Sequence, residues 1–148
     1  MNYNNEKVRR QDRLLNETDA RSILKNGEYG VLSMQTEEGG AYGIPINYVW
    51  DGKHSIYLHC APEGRKIRNI AFCNKVSFCV VGKTKVVSDK FTTGYESIVL
   101  DCSAFVDLTP EERMNAMVLL LEKYSPADME KGMKYIEKSF DRTEVICL

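Results

Sequence analysis

Five consecutive residues near the middle of the chain, Pro62-Glu63-Gly64-Arg65-Lys66, carry the sharpest chemical signal. Ile67, Ile70 and Ala71 follow at helical spacing, so the segment predicts a helix start with Pro62 at its first position. The first turn of a helix leaves backbone N–H groups unpaired and carries the positive end of the dipole, which attracts phosphate. Gly64 lets a ligand approach the backbone closely. Arg65 and Lys66 add two cations where a helix that only had to fold would carry Asp or Glu. A charge-assisted hydrogen bond contributes roughly 1.5–3 kcal/mol, so two cations and two amides are enough to hold a phosphate. The plain alternative is a solvated basic pair beside Glu63.

His59 lies five residues before Gly64, at the end of the strand that feeds this loop and on the same face as Tyr57. It is a candidate proton-handling residue, and a hydrogen-bonded filler is the ordinary alternative. Cys60, next to the helix start, is either a small buried hydrophobe or a reactive thiol. Tyr42, Tyr48, Trp50, Tyr57 and Tyr95 could line a flat ligand, although aromatics at alternate strand positions more often form core. Asn47 faces away from Tyr48 and Trp50 in an unbroken strand and could hydrogen-bond a ring edge. Glu96 and Ser97 begin a long strand whose polar end could reach a neighbouring subunit.

These residues need a scaffold. Asn16 and Asp19, followed by Ala20, Ile23 and Leu24, predict a helix over 17–26 with Gly27 at its C′ position. Strands are expected at 29–34, 42–50, 54–60, 75–82, 95–107 and 142–148. Pro45 argues for a sheet edge, and Asp51-Gly52 for a hairpin turn. Lys83 to Gly94 shows no clear pattern and reads as a polar connection. Thr109-Pro110-Glu111-Glu112 is a capping box, and Ser125-Pro126-Ala127-Asp128 repeats its chemistry, so two helices follow, to about 124 and 138. Six strands with antiparallel hairpins and flanking helices predict a mainly β protein, a six-stranded antiparallel split barrel. One domain over 1–148 with a polar arm at 1–15 is expected.

The balance of 20 basic and 21 acidic residues asks for neither nucleic acid nor an anionic membrane. No run of about 18 apolar residues predicts a membrane span, and the charged N-terminus lacks the apolar region of a secretory signal. Five cysteines, odd in number and without a CxxC pair, fit a reducing cytoplasm better than a disulfide framework. No metal site is expected, and GxGxxG, Walker A, GxSxG and HExxH are all absent.

Beyond these residue patterns, the chain resembles the nitroimidazole-resistance (Nim-type) flavoproteins of the pyridoxamine 5′-phosphate oxidase superfamily. The resemblance is carried by GEYGVLSM (27–34), YGIPINYVWDG (42–52), IYLHCAPEGRK (56–66), KVSFCVVG (75–82), YESIVL (95–100) and LLLEKYSP (119–126). It implies a split-barrel homodimer with FMN, or FAD in its place, at the subunit interface. It assigns the phosphate to Gly64, Arg65 and Lys66, and the ring to Ile46, Asn47, Tyr48, His59 and Cys60. Tyr95, Glu96 and Ser97 would lie near the ring or across the interface, with His59 as the catalytic candidate. The implied activity is flavin-dependent reduction of a small electron-poor acceptor such as a 5-nitroimidazole. An electron carrier without its own substrate and a pyridoxamine 5′-phosphate oxidase-like oxidase are the alternatives. Against the oxidase, the chain is short and lacks that enzyme's arginine-bearing C-terminal substrate segment.

Overall fold

The computed structural model describes residues 1–148 as seven strands and four α-helices. In order they are α1 (Glu17–Asn26), β1 (Gly30–Gln35), β2 (Ala41–Ile46), β3 (Val49–Trp50), β4 (Ile56–Cys60), α2 (Arg65–Phe72), β5 (Lys75–Val87), β6 (Thr92–Ser103), α3 (Pro110–Tyr124), α4 (Met129–Ser139) and β7 (Glu144–Cys147). The strands form two antiparallel sheets, β2-β1-β5-β6 and β3-β4-β7. The ladders do not close into the expected six-stranded barrel. A single bridge between Phe105 and Cys147 links the segment after β6 to the second sheet.

The local chemistry accounts for most of the elements. Asn16 caps α1 by accepting from the Asp19 N–H at 2.9 Å. Thr109 and Glu112 form both bonds of the capping box that starts α3. Pro45 sits on β2, an edge strand, opposite Val31, where its missing N–H breaks no second ladder. Asp51 Oδ1 accepts from the Lys53 and Ser55 N–H groups and builds the turn before β4. The core lies between the sheets and α1, around Leu24, Leu32, Tyr48, Leu58, Phe78 and Val80, all at most 1% exposed. There the Tyr48 and Phe78 rings meet edge to face at 5.1 Å.

Four expectations need correction. The strand expected over 42–50 breaks at Asn47–Tyr48, where the chain leaves the first sheet and enters the second. The break ends the alternation, so the neighbours Tyr48 and Val49 are both buried. Residues 83–94 are not a polar connection: β5 continues to Val87, turns through Ser88–Lys90, and β6 begins at Thr92, with a bulge between Val81 and Thr84. Helix α2 starts at Arg65 rather than Pro62. Gly27 has φ −61, so it is no left-handed cap. It is glycine because a Cβ there would lie 2.5 Å from Val80 Cγ1 and 2.6 Å from Tyr48 Oη.

Candidate functional site

The helix start at Gly64 is open and electrically unfinished. Gly64 is the N-cap, with φ 137 and ψ −179, a conformation reserved for glycine. No side chain caps the helix, and its first turn holds no acidic residue. A Cβ on Gly64 would meet nothing within 4 Å, so the surface above it is free. The donors of the first turn thus lack the acceptor that a Ser, Thr, Asp or Asn N-cap supplies.

The two cations diverge. The Arg65 guanidinium stacks on Tyr42, 4.2 Å from the ring centroid. With Arg68 one turn on, Asn69, Glu37 and Glu38, it lines a cleft of about 230 Å³. The Glu38 carboxyl is held below its ordinary pKa chiefly by its own backbone N–H, then by the Thr36 hydroxyl, with weaker pulls from Arg65 and Arg68. Asn69 is buried, and its Nδ2 has no hydrogen-bond partner. Lys66 instead acts on the end of β4, where its charge bears on both His59 and Cys60.

His59 pairs with Val145 across β4 and β7. Crowding by neighbouring atoms lowers its pKa below the ordinary 6.5, and Lys66 pushes in the same direction. The residue is nevertheless exposed, and solvent around the ring limits that shift. Burial raises the pKa of the half-buried Cys60 thiol, against the opposing pull of Lys66. At neutral pH Cys60 is therefore a thiol and not the nucleophilic thiolate.

A second cleft, of about 280 Å³, opens where the chain crosses between the sheets. Glu28, Tyr29, Pro45, Ile46, Asn47 and Tyr124 line it. Asn47 Nδ2 donates to the Glu28 carbonyl at 3.3 Å, which leaves Asn47 Oδ1 free as an acceptor. Tyr48 is core, as the residue pattern favoured, rather than the ring-lining side chain that the resemblance implied: its side chain is fully buried and donates to the Leu24 carbonyl at 2.7 Å. Burial, with a smaller contribution from Tyr124, raises its phenol pKa, in keeping with a permanently neutral donor.

With this geometry in hand, the family profile described as pyridoxamine 5′-phosphate oxidase matches residues 16–148. The chain belongs to that family. No protein in the curated set matches it. Among solved structures, one from Bacteroides thetaiotaomicron, provisionally assigned as a 5-nitroimidazole antibiotic resistance protein, is 19% identical over 90% of this chain and 79% of its own, with a TM-score of 0.72. A conserved hypothetical protein of Mycobacterium tuberculosis is 17% identical over 94% and 82%, with a TM-score of 0.78. An FAD- and haem-binding protein of Mycobacterium smegmatis is 14% identical over 89% and 65%, with a TM-score of 0.76. At these identities the three share a fold with this chain.

Within this member of the pyridoxamine 5′-phosphate oxidase family, the candidates fall into three groups. His59, Cys60, Gly64, Arg65 and Lys66 gather where β4 feeds α2. Ile46 and Asn47 belong to the crossover cleft. Tyr95, Glu96 and Ser97 stand on β6 beside the bulge, with Tyr95 64% exposed. No hydrogen bond joins the three groups. The sequence reading missed Arg68, Asn69, Glu28, Tyr29, Lys123 and Tyr124. Arg68 was within reach, because residues three apart share a helix face. Tyr124 was not, because its partners lie 76 and 96 residues away. No helix is long and apolar enough to cross a membrane, and no group of three or more His, Cys, Asp or Glu residues could hold a metal ion.

Proposed function

We propose that this chain is an FMN-dependent flavoprotein reductase acting on small electron-poor acceptors, with 5-nitroimidazoles as the candidate substrate class. The observation that carries the reading is the uncapped, cation-bearing and sterically open helix start at Gly64, placed next to His59 in a member of this family. This set of donors fits a phosphate monoester. The same donors would serve the phosphate nearest the flavin in FAD.

In this reading Gly64 and the first amides of α2 receive the phosphate, with Arg65 and Lys66 closing on it from two sides. Asn47 Oδ1 accepts from a ring-edge N–H, and Tyr29 and Ile46 supply apolar contact. The flavin, when bound, supplies the redox chemistry. The His59 ring, largely neutral near pH 7, relays a proton from solvent to the reacting face.

The crossover cleft and the α2 start are separate half-sites in one chain, so we read the working form as a homodimer. The partner would bring Tyr95, Glu96 and Ser97 from its β5–β6 hairpin, whose Val86, Phe91, Tyr95 and Val99 are 64–97% exposed. The two open sheets then correspond to the halves of a split barrel. Five unpaired cysteines suit a cytoplasmic setting.

The deciding experiment is the visible spectrum of the purified protein, with mass spectrometry of any cofactor released on denaturation. Bound FMN or FAD is the expected result. A haem spectrum, or a colourless protein that takes up no added FMN, overturns the reading. Light scattering of the flavin-loaded protein should give a dimer, and a monomer that still binds FMN removes the interface.

A further inference from the structure

We infer that Lys123 and Tyr124, at the C-terminal end of α3, are positioning residues that set the crossover bearing Ile46 and Asn47 for its ligand. The inference rests on the flavin reading above.

The observations concern the backbone of one residue and the two peptide groups that flank it. Tyr48 follows Asn47 directly, in the gap between β2 and β3, where neither sheet supplies ladder partners. Its backbone groups are held instead by two side chains from α3. The Tyr48 N–H donates to Tyr124 Oη at 2.9 Å. Tyr124 Oη also lies 2.6 Å from the Glu28 carbonyl and 2.8 Å from the Tyr48 carbonyl. Lys123 Nζ donates to that same Tyr48 carbonyl at 2.8 Å and sits 3.7 Å from the centre of the Tyr48 ring. A phenol has one hydrogen to give. With Lys123 serving the Tyr48 carbonyl, the Tyr124 hydrogen is available for Glu28, its nearest acceptor. The Glu28 carbonyl also receives Asn47 Nδ2.

One hydroxyl thus ties the α1–β1 loop, the crossover and α3 together at the rim of the cleft it lines. Burying Tyr48 requires partners for its backbone N–H and C=O as well as for its phenol, and the chain supplies the backbone partners from two α3 side chains, of which Tyr124 also lines the cleft. These bonds fix the peptide next to Asn47, and therefore the direction in which Asn47 presents its free oxygen.

The test uses the full-length protein and two probes, FMN and riboflavin. Tyr124→Phe keeps the ring and removes the hydroxyl. It should weaken both probes by the same factor, roughly threefold to tenfold for one lost hydrogen bond at a rigid edge. Phosphate-side changes should weaken FMN alone. Amide hydrogen exchange at Tyr48 should quicken in the same variant. Lys123→Met should act in the same direction, and Lys123→Arg, which keeps a donor and a charge, should restore binding. Arg113→Ala is the control. Arg113 ties the other end of α3 to the Phe140 and Thr143 carbonyls, so its loss should lower the Tm without changing either affinity. Unchanged affinities in Tyr124→Phe, with a wild type that binds flavin, sink the inference alone. A wild type that binds neither probe sinks the flavin reading and this inference with it.

Discussion

The two clefts of this chain are built on opposite principles. The α2 cleft is charged: two arginines and two glutamates face one another across about 230 Å³, and its neighbours come from one helix and one turn. The crossover cleft is aromatic and apolar, and it is assembled from three distant segments through hydrogen bonds to backbone groups. Its geometry therefore depends on the whole fold, whereas the helix start depends on a handful of adjacent residues. On the proposed reading, a dianion would meet fewer carboxylates at the helix start above Gly64 than inside the α2 cleft, where Glu37 and Glu38 face Arg65 and Arg68.

The largest test of this contrast is the double change Arg65→Ala with Lys66→Ala. FMN affinity, followed by flavin fluorescence, should fall by roughly a hundredfold or more, since each charged hydrogen bond contributes about 1.5–3 kcal/mol. Riboflavin affinity should stay within about threefold. Equal weakening of both ligands would remove the phosphate from this helix. His59→Ala should retain flavin and slow turnover with a nitro-aromatic acceptor by roughly a hundredfold, the lower range for a positioned proton-transfer group. Turnover at the wild-type rate would take His59 out of the mechanism.

Two glycines separate the regions by the kind of damage their replacement does. Gly27→Ala crowds Val80 and the Tyr48 hydroxyl, so it should lose about 1–3 kcal/mol of stability through overpacking beside the crossover. Gly64→Ala meets no atom but strains the backbone at φ 137, at about 1–3 kcal/mol. Thermal unfolding should therefore show similar losses, while only Gly64→Ala weakens FMN more than riboflavin. A selective loss of FMN in Gly27→Ala would show that the two regions are coupled.

A further test lies in the pH dependence. Burial lowers the Lys123 pKa from 10.5 to about 8. Between those values the unfolded chain binds more protons than the folded one, so this group makes stability rise with pH from about 8 to 10.5. Below pH 8 the desolvation of the ammonium is fully felt. Denaturant midpoints across that window should show the rise, and Lys123→Met should flatten it. An unchanged slope in that variant would assign the effect to another group.

Local signals were legible before any tertiary structure. Asn16, Thr109, Glu112, Asp51 and Pro45 each act within a few residues, so their caps, turn and edge position follow from chain chemistry alone. The cation-bearing helix start was legible for the same reason. The sequence could not show that β2 and β3 belong to different sheets. Nine residues of strand-forming composition, Tyr42 to Trp50, run on as one pattern, and the change of sheet at Asn47–Tyr48 is set by partners outside it. The patternless stretch 83–94 hid a hairpin because exposed strands carry no alternation to read.

Residue types alone determined that α2 begins with unpaired donors and two cations, and that α1 and α3 start where they do, because those effects decay within one helical turn. Only the tertiary structure decided that Arg65 and Lys66 face different neighbours and that the Tyr48 backbone leaves both sheets. It also decided that Tyr124, 76 residues away in sequence, holds the Tyr48 peptide. Those outcomes depend on which surfaces pack together, and a backbone group released from both sheets takes whatever hydrogen-bond partner that packing brings within 3 Å.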